Sequence, residues 1–105
     1  MEKILGMIGL AKRARALCGG AFLTEEAIKS GKARFVIVAC DASEKSKKNI
    51  INSCEYYKVP YVEFSDMLSL GKVTGGGEKA VLTITDSNFA KALKEKIGAI
   101  QRKDR

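Results

Sequence analysis

The segment Ala33–Cys40 reads ARFVIVAC, and it decides the fold class. Its apolar run is rich in β-branched residues and bounded by charges, which is typical of a central strand covered on both faces. Two more strands are predicted further along the chain, at Val59–Phe64 (VPYVEF) and Ala80–Thr85 (AVLTIT). The protein is therefore expected to form a buried sheet.

A helix between the first two strands is predicted at Ser43–Tyr57, where Ser43 is in position to cap it. Its buried stripe is expected to comprise Ile50, Ile51, Cys54 and Tyr57. A strand, a helix of about a dozen residues and another strand are the signature of a right-handed parallel crossover. The strands on either side of this helix should therefore run parallel.

Another helix is predicted at Glu2–Leu17, and Gly19-Gly20 is expected to end it. The apolar residues at helical spacing are Ile4, Met7, Ile8 and Ala11. Its last turns carry the cations Lys12, Arg13 and Arg15. Cations favour the carboxyl end of a helix dipole, and they are equally suited to bind an external anion. The sequence leaves both interpretations open.

The next helix is predicted at Phe22–Ser30. Two starting points are possible for this helix. Thr24 can be its cap, or the helix can begin directly after Gly20 with Ala21 or Phe22 in its first turn. The residues expected to point inward are Ala27 and Ile28.

Two helices are predicted in the second half of the chain. Ser65–Leu70 is a short helix capped by Ser65, and Asp86–Ile97 is a longer one capped by Asp86 or Ser87. The buried residues of the longer helix are expected to be Phe89, Ala90, Leu93 and Ile97.

The alternation of helices and strands predicts the α/β class, as a three-layer α/β/α sandwich around a small mixed, mainly parallel sheet. The 105 residues contain 46% hydrophobic side chains and a single proline, and no segment has the composition of a linker. We therefore expect residues 1–105 to form a single domain. The longest apolar run is too short to cross a bilayer, which favours a cytoplasmic protein with no membrane contact.

The chain contains no histidine, which excludes Ser-His-Asp and Cys-His catalytic sites and any metal site with imidazole ligands. The adjacent carboxylates Glu25 and Glu26 are interpreted as residues that begin a helix and complement its dipole. The cysteines Cys18, Cys40 and Cys54 lack the CxxC spacing of zinc or redox sites, so buried or inert thiols are expected. We predict no enzymatic activity, no cofactor and no metal.

The charge distribution is the first indication of a partner. The chain has 19 Lys and Arg against 12 Asp and Glu, a net charge of +7, and a pI near 9.5. Residues 1–34 carry +4, residues 35–71 carry −1 and residues 72–105 carry +4. Two basic ends around a neutral middle are typical of a protein that binds a polyanion, although a solvated basic surface would also give a high pI.

Two glycine-rich segments are candidates for close backbone contact with a ligand. Residues 71–79 read GKVTGGGEK, but Glu78 and Lys79 lead into a strand, so the segment is not a P-loop. A basic loop without side chains still lets backbone amides approach a phosphate or an unstacked base. The second segment, Gly19-Gly20, joins a basic helix end to the amino end of the next helix, where free amides favour anions.

These motifs, in this order, resemble the kink-turn-binding ribosomal protein family, which includes archaeal and eukaryotic-type ribosomal proteins and small bacterial relatives. The matching features are the glycines before the short helix, AIKSGKAR at 27–34 leading into the strand, VPYV at 59–62, LGK at 70–72, and Gly75 before the strand at Ala80–Thr85. The resemblance extends over residues 3–97, and its matches are ordered and spaced.

The resemblance implies an α/β/α sandwich that binds the bent kink-turn motif of RNA from one edge. By this likeness, Gly20 and the opening of the second helix would face the tandem G·A pairs, and Gly75–Lys79 would hold the flipped-out nucleotide. The partners implied are structured RNA, ribosomal RNA among the candidates, and the ribosome, bound by a monomer. The residues expected at the RNA are Arg13, Arg15, Gly19, Gly20, Ala21, Phe22, Leu23, Glu26, Lys32, Lys72, Gly75, Gly76, Gly77 and Lys79.

One departure from the family pattern concerns specificity. RNA-binding members carry an Asn-Glu pair and then a Lys where this chain has Phe22, Leu23 and Glu26. Phe22 can stack on a base, but a core position is the favoured interpretation. The alternative function is a protein-interaction module that keeps the family fold and has lost specific RNA recognition.

Overall fold

The computed structural model describes the backbone of residues 2–103 and the side chains of residues 2–99. Five helices and four strands alternate within this part of the chain. They are α1 (Glu2–Arg13), β1 (Leu17–Gly19), α2 (Ala21–Lys29), β2 (Phe35–Val38), α3 (Glu44–Tyr56), β3 (Tyr61–Glu63), α4 (Met67–Val73), β4 (Val81–Ile84) and α5 (Ser87–Lys103).

The apolar runs at β2 and β4 form the centre of the sheet, and every residue of both strands is buried. The strand order is β1-β4-β2-β3. Helix α2 contacts α3, while α1 contacts α4 and α5, so helices cover the sheet in two outer layers. The predicted α/β/α sandwich with a mixed sheet is confirmed.

The prediction that the sheet is mainly parallel is wrong. Strands β2 and β3 are parallel, as the crossover predicted, but β4 is antiparallel to both β2 and β1. The amide of Cys40 donates to the Ser65 carbonyl at 2.9 Å, and that of Ala39 donates to the Ala80 carbonyl at 2.8 Å. The carboxyl ends of β2 and β3 and the amino end of β4 therefore lie at the same end of the sheet. The short α4 does not carry the chain back to the opposite end, so β4 runs antiparallel to β2.

Strand β1 was not predicted, because Leu17 was assigned to the end of the first helix. Helix α1 instead stops at Arg13, and Arg15 adopts a left-handed conformation with φ 59° that redirects the chain. Leu17 then pairs with Ile84 as part of an edge strand beside β4. The left-handed turn at a non-glycine residue carries no sequence signal of its own.

Helix α4 begins later than predicted and has a different cap. Ser65 lies at φ 64°, and the cap is Asp66, whose Oδ1 accepts a hydrogen bond from the Ser69 amide at 2.7 Å. Asp41 Oδ1 accepts a second bond at this end, from the Met67 amide at 2.8 Å. The hydrogen bonds from the Ser69 amide and hydroxyl hold the pKa of Asp66 below its ordinary value.

Helix α3 has the predicted cap, because Ser43 Oγ accepts from the Ser46 amide at 3.2 Å. Its buried stripe is narrower than predicted. Ile50 and Cys54 are buried, but Ile51 is half-buried and Tyr57, at the carboxyl end, is 43% exposed. Burial raises the pKa of the Cys54 thiol to about 12.

All three cysteines are free thiols, but Cys40 is exposed and Cys18 is half-buried. Of the thiols expected to be buried or inert, only Cys54 is therefore buried. No helix in residues 2–103 is long and apolar enough to span a membrane.

Helix α5 is capped by Asp86, whose Oδ1 accepts from the Phe89 amide at 3.0 Å, and it continues to Lys103 rather than ending at Ile97. The first helix shows the expected buried face at Ile4, Ile8 and Ala11, with Met7 half-buried. In α5, Ala90, Leu93 and Ile97 are buried and Phe89 is half-buried.

Candidate nucleic-acid interface

The opening of α2 is shaped by Gly20. This residue is the N-cap, with φ 99° and ψ 159°, and the helix starts directly at Ala21. Thr24 is therefore not the cap. Glycine has no side chain to bind the amides of the first turn, which leaves them to other partners. A Cβ built on Gly20 meets no atom within 4 Å, so the space above this helix start is open.

The side chains of α2 divide between the core and solvent. Thr24 is fully buried and accepts a 2.6 Å hydrogen bond from the Thr83 hydroxyl of β4, and Ala27 and Ile28 face the core as predicted. Phe22 is 74% exposed and Leu23 is 46% exposed. The interpretation of Phe22 as a core residue is therefore wrong, because the buried Thr24 fixes the helix rotation.

The carboxylates of α2 also lie elsewhere than expected. Because the helix starts at Ala21, Glu25 and Glu26 belong to its second turn, and its first turn holds no acidic residue. The prediction that this pair complements the amino end of the helix is wrong. Glu26 is exposed instead.

The glycine loop is fixed by short backbone hydrogen bonds. The Gly76 amide donates to the Gly71 carbonyl at 3.0 Å, and the Lys79 amide donates to the Met67 carbonyl at 3.0 Å. Gly71 lies in α4 against the backbone of Gly77, where a Cβ would overlap the Gly77 carbonyl. Gly75 adopts φ 77°, a conformation that favours glycine. The loop is therefore held in one place against α4.

A first groove joins the glycine loop to the end of α1 and the start of α2. The Lys79 side chain crosses it, since a Cβ at Gly19 would lie 3.2 Å from Lys79 Cε and one at Gly76 would lie 3.4 Å from Lys79 Nζ. The groove has a volume of about 500 Å³. Its lining residues are Lys12, Leu17, Cys18, Gly19, Leu23, Thr74, Gly75, Gly76 and Lys79.

A second groove adjoins the first, because Cys18 and Leu23 line both. It runs along α2 towards the loop that leads to β2. Its other lining residues are Glu26, Ala27, Lys29, Ser30, Lys32 and Thr85. The two grooves form one surface, which we call the α2 edge.

The structure brings half of the residues expected at the RNA onto the α2 edge. Those that line its grooves are Gly19, Leu23, Glu26, Lys32, Gly75, Gly76 and Lys79. Those outside the grooves are Arg13, Arg15, Gly20, Ala21, Phe22, Lys72 and Gly77. Gly20, Ala21 and Phe22 are nevertheless adjacent, as the start of α2.

Two cations of the α2 edge, Lys12 and Lys29, are not among the residues expected at the RNA. Lys12 lies in the last turn of α1, one position before Arg13, and Lys29 ends α2. The clustering of Lys12 with Arg13 and Arg15 was visible in the sequence, but which of these side chains turns towards Lys79 depends on the helix rotation.

Comparison with known proteins gives a consistent set of relatives. Residues 2–94 match the ribosomal protein L7Ae/L30e/S12e/Gadd45 family. The RNA-binding protein YlxQ of Bacillus subtilis (strain 168) is 36% identical over 87 residues, which cover 83% of this chain and 87% of that protein. The RNA-binding protein YlxQ of Enterococcus faecium is 41% identical over 96 residues, which cover 91% of this chain and 92% of that protein.

Solved structures show the same similarity. A protein of unknown function from Bacillus halodurans superposes with a TM-score of 0.85 at 31% identity, covering 89% of this chain and 94% of that one. The 15.5kD RNA binding protein of Giardia lamblia superposes with a TM-score of 0.78 at 25% identity, covering 90% of this chain and 84% of that one.

Proposed function

This chain belongs to the ribosomal protein L7Ae/L30e/S12e/Gadd45 family, and from that premise we propose that it is an RNA-binding protein that recognises a kink-turn-like bend in structured RNA. The predicted family resemblance is confirmed. The observation that carries the proposal is the first groove, where Lys12 and Lys79 meet the glycine loop and the start of α2. Two relatives named as RNA-binding proteins match most of this chain in sequence, at 36% and 41% identity.

The chemistry of the α2 edge is suited to RNA in three ways. Lys12 and Lys79 supply positive charge for phosphates, which provide much of the affinity in such complexes. The uncapped amides after Gly20 are donors for phosphate or base oxygens. The open backbone at Gly75 and Gly76 allows an unstacked nucleotide to approach. We propose that ribosomal RNA or the assembling ribosome supplies this RNA.

The interface is tested by removing one charge without changing its packing. Lys79→Met keeps the aliphatic stem that passes along Gly19. We expect the Kd for a kink-turn RNA to rise about tenfold, the size of one charge-assisted contact. Lys48→Met, on the exposed face of α3, is the matched control and should leave the Kd within about twofold. Equal effects of the two variants, with unchanged melting temperatures, would place the interface elsewhere.

Specificity for the bend is expected to be modest. Phe22 and Leu23 are exposed at the start of α2 but cannot hydrogen-bond to base edges, and Glu26 repels phosphate. We expect the protein to prefer a kink-turn over the same helix without its bulge by about 1–2 kcal/mol, through shape and backbone contacts.

The variant Phe22→Asn, Leu23→Glu and Glu26→Lys introduces the side chains that RNA-binding members carry. It should increase the difference in binding free energy between the kink-turn and the helix without its bulge. It should also fold, because all three side chains that it replaces are exposed. Titration of both RNAs with the wild type and the variant, beside melting curves, measures this. A folded variant with an unchanged margin would show that specificity resides in other residues.

A second candidate function is a protein-interaction module, and the exposure of Phe22 and Leu23 favours it. Adjacent exposed apolar side chains rimmed by polar residues are a common feature of protein interaction sites. The same titrations separate the two: wild type that binds a kink-turn and a plain duplex equally weakly supports the protein-interaction module.

A further inference from the structure

The basic surface extends beyond the α2 edge, through two more grooves. The third groove lies between the end of α2 and the loop before β3, and Lys29 lines both it and the second groove. The fourth groove lies along α5, and Arg34 lines both it and the third. Successive grooves from the glycine loop to α5 therefore share lining residues. We call the third and fourth grooves together the flanking track.

The charges on this path are strongly one-sided. The flanking track adds Lys58 in the third groove and Lys91 and Lys94 in the fourth, against a single carboxylate, Glu95. Along all four grooves, eight basic side chains face two acidic ones, within the side chains that the structure describes. A row of adjoining cationic grooves of this kind attracts a polyanion that is already bound at one end.

A groove on α3 shows that the rest of the surface is not as uniformly cationic. Its charged lining residues are Glu44, Lys45, Lys47, Lys48 and Glu63. Lys47 Nζ is ion-paired with Glu63 Oε1 at 3.1 Å, so part of its charge is already neutralised. The α3 groove is therefore a suitable control surface with a similar number of lysines.

An aromatic side chain lies on the flanking track. Tyr57 lines the third groove together with Lys29, Arg34 and Lys58, and it is 43% exposed. Its neighbour Tyr56 is 79% exposed and meets it edge to face, with the ring centroids 4.9 Å apart, but Tyr56 does not line the groove. Cations interleaved with an accessible aromatic ring are the pattern of single-strand binding, because an unpaired base can stack on the ring. A duplex offers no free base face to Tyr57.

We infer that a single-stranded RNA segment adjoining the bound bend follows the flanking track, with its phosphates on Arg34, Lys91 and Lys94 and a base stacked on Tyr57. This inference rests on the proposed function, because the bend is what delivers the strand to Lys29. The protein then recognises a bend together with its unpaired flank rather than the bend alone.

Three RNAs test the inference: a blunt kink-turn, the same RNA with an unpaired flank of about ten nucleotides at either end, and one whose duplex arm is lengthened by the same number of phosphates. A flank at one end should lower the Kd about tenfold, and the longer duplex should change it less than about twofold. An equal gain from the longer duplex would overturn the single-strand assignment.

Paired variants locate the contact. The double variant Lys91→Gln/Lys94→Gln should lose most of the affinity that the flank adds and should bind the blunt RNA with an unchanged Kd. The control Lys45→Gln/Lys48→Gln, on the α3 groove, should keep the affinity that the flank adds. Tyr57→Leu should reduce the gain about fivefold and Tyr56→Leu should not. Identical gains in all four variants would place the flank elsewhere and overturn the inference.

The outcomes also separate this inference from the proposed function. Wild type that binds blunt and flanked RNAs with the same Kd contradicts the flanking track and leaves the proposed function standing. Wild type that binds neither RNA contradicts both. Melting curves of the variants, beside the titrations, show whether any lost gain is a loss of folding.

Discussion

At the scale of single residues, the glycines of this chain have different physical roles. Gly71 is required by close packing, because its Cα faces the backbone of Gly77 across the end of α4. Gly20 is required by its conformation, with φ 99°, and space around it is open. Gly6, in the middle of α1, has neither constraint. The same residue type therefore predicts opposite effects of substitution.

Gly71→Ala is expected to lower the free energy of unfolding by about 1–3 kcal/mol, because the new methyl group must displace the backbone of the glycine loop. The Kd for a kink-turn RNA should rise as well. Gly6→Ala is the matched control and should raise stability by about 0.5–1 kcal/mol through helix propensity alone. Urea unfolding measures both, and a Gly71→Ala protein as stable as Gly6→Ala would contradict the packing of Gly77 on α4.

At the scale of secondary-structure elements, α2 is joined to the sheet by a buried polar contact. The Thr83 hydroxyl of β4 donates to Thr24 Oγ1 at 2.6 Å, and both residues are fully buried. Such a pair stabilises little in net terms but is costly to break on one side. It sets the rotation of α2 and so determines that Phe22 and Leu23 face solvent.

The threonine pair predicts a coupled response to mutation. Thr24→Val or Thr83→Val alone should lower the free energy of unfolding by about 1–3 kcal/mol, because one buried hydroxyl loses its partner. The double variant should cost less than the sum of the two, since no unpaired hydroxyl remains. A double-mutant cycle in urea measures the coupling, and additive losses would show that the contact does not link α2 to β4.

The cap of α4 predicts a pH dependence of stability. The Ser69 hydrogen bonds lower the folded-state pKa of Asp66 from its ordinary value of 3.8. Its contribution is therefore fully present above that ordinary value and is lost as the pH falls through the lowered folded-state pKa. Asp66→Asn keeps a capping oxygen that does not titrate. Between pH 5 and pH 2 the melting temperature of the wild type should fall further than that of Asp66→Asn; equal falls would contradict the assignment.

At the scale of the whole molecule, the fold brings the basic side chains from both ends of the sequence together on the surface. The net charge of +7 belongs to the two ends of the sequence, and both ends contribute to the grooves described above. Lys12, from the first third of the chain, and Lys79, from the last third, line one groove. The fold therefore combines two basic segments into one surface, which favours a polyanionic partner.

This arrangement predicts a strong salt dependence of RNA binding. With about four phosphate contacts, the Kd should rise on the order of 50- to 150-fold between 50 and 200 mM salt, because each contact releases condensed counterions. Lys12→Gln should lower the slope of log Kd against log salt by about 0.7–0.9. Titrations at several salt concentrations measure both, and a flat response in the wild type would contradict a phosphate-based interface.

The sequence by itself determined part of the local structure of this protein. The apolar run of β2 and the cap of α3 at Ser43 were predicted, and Asp86 was one of two candidates for the cap of α5, because each depends on residues that are close in the chain. The parallel pairing of β2 and β3 followed from the crossover helix between them. The family resemblance came from spaced motifs, and it is confirmed by the match of residues 2–94 to the family.

Only the tertiary structure decided the path of the sheet and the composition of the α2 edge. The short β1 strand, the antiparallel entry of β4 and the position of Lys79 across Gly19 each join segments distant in sequence. The exposure of Phe22 likewise depended on the contact between Thr24 and β4. These features could not be predicted because periodicity and capping report short-range energies, whereas strand pairing and helix rotation are fixed by burial shared across the whole domain.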